Sequence, residues 1–129
     1  MAIKHALTAH WPHRPLIYEI NTWVWLHELS AQASRSMTLT DVPGDAWDAL
    51  ASNGCDAVWL MGVWERSPAG LAVSMRNGSL LAEFRRLLPD FTAEDNVGSA
   101  YCVKQYAVDA RLGGRQGLAA ARKELAKRG

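Results

Sequence analysis

The 129-residue sequence has little of what marks several functional classes. Its two cysteines, Cys55 and Cys102, are too few and too far apart for a disulfide framework or a metal-ligand pair, and both read as small core residues. A formal net charge of +1 leaves no concentrated basic face of the kind that neutralises phosphates, so nucleic acid is not an expected partner. No apolar run is long enough to cross a bilayer, and the opening Met1-Ala-Ile-Lys-His-Ala6 lacks a basic patch followed by an apolar stretch. No membrane partner is therefore expected, and a cytoplasmic protein is the simplest reading. There is no Gly-x-Ser-x-Gly elbow, and Gly113-Gly114 lacks the Lys and hydroxyl residue of a phosphate loop; it reads as a turn into a helix. No cofactor and no metal are expected.

What is present is a packed composition, 49% hydrophobic, in a chain of single-domain size. Beyond a leader over residues 1–14, broken by Pro12 and Pro15, the β-branched and aromatic density of Leu16 to Leu26 predicts a first strand. A polar stretch through Ser36 follows. Asp41 is placed to cap a helix with Pro43 in its first turn and Trp47, Leu50 and Ala51 on one face, and Gly54 closes it. Asp56 to Trp64 is apolar almost throughout, which predicts a strand covered on both faces as in a parallel sheet. Strand, helix and strand make a βαβ unit. Ser67 to Gly78 reads as a Gly-, Pro- and Ser-rich loop, Leu80 to Leu88 as a helix stopped by Pro89, and Asp90 to Val108 as irregular. Leu118, Ala121 and Leu125 recur at helical spacing in a last helix over Gly114 to Arg128, whose basic residues suit a solvated face.

Three blocks occur in a telling order: Leu16-Ile-Tyr-Glu-Ile-Asn-Thr-Trp-Val-Trp-Leu26, Asp56-Ala-Val-Trp-Leu-Met-Gly-Val-Trp-Glu-Arg-Ser67, and Gly98-Ser-Ala-Tyr-Cys-Val-Lys-Gln-Tyr-Ala-Val-Asp-Ala-Arg-Leu-Gly-Gly114. In order and spacing they resemble the start of the catalytic barrel of the α-amylase family, glycoside hydrolase family 13, over residues 15 to 129. The resemblance implies that the first block is barrel strand 1, the second is barrel strand 2, and the third is the loop before a helix and strand 3. The fold class implied is α/β: an incomplete (β/α)8 (TIM) barrel fragment of two parallel strands and about three helices in one domain, completed by self-association. Gln105 stands where the family usually has Asp, and Asp109-Ala110 replaces its Asn-Pro or Asp-Pro.

Retaining hydrolysis in that family needs a nucleophilic carboxylate and a carboxylic acid about 5 Å apart. The family carries them after strands 4 and 5, a third carboxylate after strand 7 and an Asp-x-x-x-Asn-His motif after strand 3, and these 129 residues hold none of those segments. No catalytic residue is therefore assigned, and a truncated segment without glycosidase activity of its own is expected. Tyr101 alone carries over as a substrate-binding residue, since it matches the Tyr of a Gly-Ser-Pro-Tyr type motif that stacks on the sugar; an α-glucan or small sugar is the ligand this implies. Glu65 and Arg66 close the second strand and read as a surface ion pair. His10 and His13 flank Pro12 and read as exposed, while His27 beside Glu28 has no nucleophile to serve.

Two parallel strands alone leave both edges unpaired and one face open. Exposure of Trp23, Trp25, Trp59, Leu60, Met61 and Trp64 on those strands forfeits roughly 1.5 to 3 kcal/mol for each large side chain. A homo-oligomer is therefore the expected partner state. The alternatives are a self-assembling structural module, or a hydrolase of another class whose site forms on oligomerisation.

Overall fold

A computed structural model describes residues 11–129. The chain runs β1 (Ile17–Asn21), α1 (Thr22–Ala33), α2 (Gly44–Ala51), β2 (Ala57–Met61), β3 (Trp64–Arg66), α3 (Pro68–Ser74), α4 (Gly78–Leu87), β4 (Val103–Val108) and α5 (Gly114–Ala126), with short 3-10 turns at Ala93–Asp95 and Ala110–Leu112. β1 and β2 pair in parallel, with Ile17 opposite Ala57 and Asn21 opposite Met61. β3 and β4 form a separate antiparallel ribbon with an irregular register. The fold is thus mixed α/β with the expected parallel pair, but with five α-helices among the described residues rather than about three and a ribbon that the sequence reading omitted.

Side chains alternate across a strand, and that alternation sorts the parallel pair into two faces. Ile20, Val58 and Leu60 point to the side where α2 and α5 contribute Trp47, Leu50, Ala121 and Leu125, forming one core with Leu26, Leu39, Val63 and Leu112. Trp47 is fully buried and meets the Trp25 ring edge-on, with centroids 5.1 Å apart. This geometry suits the aromatic quadrupole better than a flat stack. Gly117 lets α5 sit close: a Cβ there would lie 3.1 Å from Leu39 Cβ. The opposite face carries Ile17, Glu19 and Asn21 beside Ala57, Trp59 and Met61, and is not covered by the helices; Ile17 and Trp59 are about half exposed.

Several boundaries differ from expectation, each for a local reason. The predicted first strand stops at Asn21, and Thr22 to Leu26 belong to α1. Thr22, Leu26 and Ser30 recur at helical spacing, Thr22 and Leu26 are buried, and Trp25 reaches Trp47, so packing overrides the β-propensity of Val24 and its neighbours. α1 closes at left-handed Ser34, where the Arg35 amide donates to Ser30 O. Asp41 caps no helix; its carboxylate accepts from the Thr38 amide and hydroxyl, and Pro43 occupies the N-cap of α2. Gly54 closes the segment after α2 with φ +69°, as expected. The apolar run 56–64 is cut in two by Gly62, whose φ of +80° turns the chain from the parallel pair into the ribbon.

The Gly-, Pro- and Ser-rich segment read as a loop contains α3. Ser67 caps it by accepting from the Gly70 amide, and Pro68 takes the first helical position. α4 ends before Pro89 as anticipated and begins at Asn77, which accepts from the Leu80 amide. Of the six side chains expected to line bare strands, Trp23 and Trp25 lie on α1, Trp64 lies on β3, and only Trp59 is among the exposed large hydrophobics. The uncovered apolar surface is correspondingly smaller than the sequence implied.

Among the described residues one core hydroxyl lacks a partner: Thr22, at the first position of α1, is fully buried and its Oγ1 forms no hydrogen bond with them. A buried unmet hydroxyl costs about 1–3 kcal/mol in desolvation. Thr22→Val keeps the shape and removes that cost, so the variant is expected to unfold higher by calorimetry, by roughly 3–5 °C for each kcal/mol regained in a chain of this size. A lower midpoint would show that the hydroxyl is satisfied in solution.

Candidate functional site

Parallel strands end on the same side, and in open α/β sheets that side is where ligands bind. Here it is built from the start of α1, the Gly62 turn, the β3–β4 ribbon and the segment 96–112. The Trp23 indole donates to Gly62 O at 3.0 Å, fastening the first turn of α1 to the end of β2. The Asp109 amide donates to Val63 O at 2.8 Å, fastening the end of β4 to the same turn.

The charged centre of this end is a cluster of Trp23, Arg66, Asp109 and Arg111. The guanidinium carbon of Arg111 stands 4.6 Å from the Trp23 ring centre and that of Arg66 stands 5.3 Å from it, both within cation–π range. Asp109 is buried and accepts a fork from Arg111, with Nε at 3.0 Å and NH2 at 2.7 Å, as well as the Arg111 amide. The Arg111 hydrogen bond holds the Asp109 carboxyl below the usual aspartate range, against the opposing effect of burial. Burial in turn makes the Arg66 guanidinium less basic, and the neighbouring charge of Arg111 acts in the same direction.

Arg66 was expected to pair with Glu65 at the surface. Instead the two point apart. Arg66 is partly buried, and its NH1 donates to Gly98 O. Glu65 faces the ribbon, where it accepts from Gln105 at 2.6 Å and lies 3.4 Å from Lys104 Nζ. Gln105 therefore has a partner of its own across the ribbon. Trp64 meets Tyr106 edge-on, with centroids 5.8 Å apart.

Tyr101 sits in the turn before β4 and is three-quarters exposed. Its neighbour Ala100 approaches the Gly62 turn: a Cβ on Gly62 would lie 3.5 Å from Ala100 Cβ. The phenol thus belongs to a segment packed on the end of β2 and is open to solvent. His13 is exposed, and His10 lies outside the described residues. His27 and Glu28 are exposed on α1, with no hydrogen bond or ion pair between them among the described residues. Cys55 and Cys102 are both free, but Cys102 is exposed rather than a core residue. Gly113 and Gly114, both left-handed, form the turn into α5. Among the described residues no group of three His, Cys, Asp or Glu could hold a metal, and no helix is long and apolar enough to cross a membrane.

The Trp23 cluster has no advance mark in the sequence, because its members stand at positions 23, 66, 109 and 111. The nearest signal was a charged Arg66 directly after an apolar strand. Comparisons with family profiles, with curated proteins and with solved structures found no match.

The Asp109 carboxylate supplies a testable contribution to stability. Its folded pKa is depressed, so its stabilisation is fully present above the ordinary aspartate pKa of about 4 and is lost as pH falls through the lower folded value. Asp109→Asn is expected to cost about 1–3 kcal/mol by urea unfolding at neutral pH. The gap from wild type should hold steady between about pH 5 and 8 and narrow below about pH 4. A gap that persists unchanged in acid would contradict this assignment.

Proposed function

We propose that the chain is the opening segment of an α-amylase-type (β/α)8 barrel, offering an aromatic contact for an α-glucan but no acid/base or nucleophilic carboxylate of its own. What supports the reading above all is the parallel β1–β2 pair, with α2 and α5 on one face and its other face uncovered by them, the arrangement of two neighbouring staves in a barrel wall. The turn carrying Tyr101 packs at the carboxyl end of that pair, the end where barrel enzymes hold their substrates. Tyr101 is the sugar-stacking residue in this reading, and its exposed ring is available for the contact.

The chain alone is expected to leave maltoheptaose intact. It should bind that sugar weakly, with a dissociation constant on the order of millimolar by nuclear magnetic resonance titration. Tyr101→Ala should abolish the binding without altering the far-ultraviolet circular dichroism. Turnover by the purified chain, or sugar binding indifferent to Tyr101, would overturn the proposal.

Self-association is the second reading, favoured by the edges of β1 and β2 that no described strand pairs and by the half-exposed Ile17 and Trp59 on the open face. In it, a second copy covers this face. Light scattering with size-exclusion chromatography at micromolar concentration is expected to give a discrete multiple of 14.2 kDa. Trp59→Glu should return the species to a single chain; a wild-type mass of one chain sinks this reading.

A further inference from the structure

We propose that the cleft beside Arg66 and Arg111 binds a small oxyanion, a carboxylate or a phosphate, held by the two guanidinium groups. The cleft has a volume of about 380 Å³ and lies between the end of β3, α3 and the 3-10 turn at Ala93–Asp95. Both arginines line it, with Ser67, Leu71, Glu94 and Asn96 among the other walls.

Charge and donor satisfaction point to an anion. Of the two guanidinium groups only that of Arg111 is paired with Asp109, which commits both of its oxygens to it. Arg66 has no ion pair among the described residues; its NH1 meets only a backbone carbonyl, and its Nε is buried without an acceptor. Glu94 stands in the wall of the cleft but forms no ion pair with either arginine. The neutral polar groups are already engaged, because Ser67 Oγ accepts from the Gly70 amide, Asn96 Nδ2 donates to Ser74 Oγ, and Asn96 Oδ1 accepts from the Gly98 amide. Apart from the Glu94 carboxylate in the opposite wall, the unused side-chain capacity is therefore that of the guanidinium groups, cationic and donor-only.

The cluster is also shaped to hold its arginines in place. A Cβ on Gly62 would fall 2.8 Å from Arg66 NH2, so the absence of a side chain there gives the head group its seat. The Trp23 ring supports both guanidinium groups. Planar forks held in this way match the oxygen pairs of carboxylate and phosphate, and preorganisation lowers the entropy lost on binding. The site stands independently of the barrel reading, since an oxyanion needs no glucan surface and no missing strand.

The test is a titration of the uniformly nitrogen-15-labelled wild-type chain with inorganic phosphate and, separately, with acetate, each against chloride at matched ionic strength. Saturable shifts are expected in the Arg66 and Arg111 Nε–H signals and the Trp23 indole N–H, with a midpoint below about 50 mM for at least one anion. Which anion saturates first identifies the class. Arg111→Gln, at an exposed side chain, is expected to weaken binding at least about fivefold. Shifts that match the chloride control, that lie elsewhere, or that persist undiminished in Arg111→Gln overturn the proposal. Should that variant not fold, the wild-type map of shifts decides alone.

Discussion

The parallel ladder between Ile17–Asn21 and Ala57–Met61 is the constraint from which the remainder is hung. It joins segments forty positions apart, and closing that loop costs entropy that a pair of five-residue strands cannot offset by hydrogen bonding alone. The difference comes from the core that the ladder organises. α2 lies within the closed loop, and α5, which follows the second strand, docks against α2; between them Trp47, Leu50, Ala121 and Leu125 meet Ile20, Val58 and Leu60. Removal of the ladder would leave those helices amphipathic with nothing to face.

At the carboxyl end of the ladder the chain must leave β2 without continuing the sheet. Gly62 makes that turn with a left-handed backbone, and its bare Cα also admits the Arg66 head group. One small residue thereby links the direction of the chain to the placement of charge. A side chain there would strain the backbone and displace Arg66 together. Trp23 reinforces the junction from the first turn of α1 by bonding to Gly62 O beneath the two arginines.

The elements most readable in the sequence were those whose pattern and packing agree. The unbroken apolar run of Ala57–Met61, the stop at Pro89 and the Leu118, Ala121 and Leu125 spacing of α5 all have a single solution. α1 was misread because Trp23, Val24 and Trp25 favour strands locally, whereas the burial of Thr22 and Leu26 is decided by partners far along the chain. α3 was passed over although Ser67-Pro68 is a cap and first-turn signal, its glycine content outweighing two informative residues. β4 has outward residues that are largely exposed, so it shows no core-facing stripe to detect. Tyr101 was singled out only through the family resemblance, while the Arg66, Asp109, Arg111 and Trp23 group exists only after β3 and β4 have paired.

The excursion between the ribbon strands has a further consequence. Neither α3 nor α4 contains a buried residue, and both are held chiefly by their own caps and by contacts with the neighbouring loop. Segments with so little buried apolar area open at a small fraction of the free energy needed to unfold a domain. The sheet and its core can therefore stay intact while residues 68–87 unfasten. Because Leu71 of α3 forms part of the wall beside Arg66, such partial opening widens the cleft without dismantling the arginines' supports on Trp23 and Gly62. Amide exchange is therefore expected to divide into two regimes, a fast one over residues 68–87 and a slow one in the sheet and core beneath.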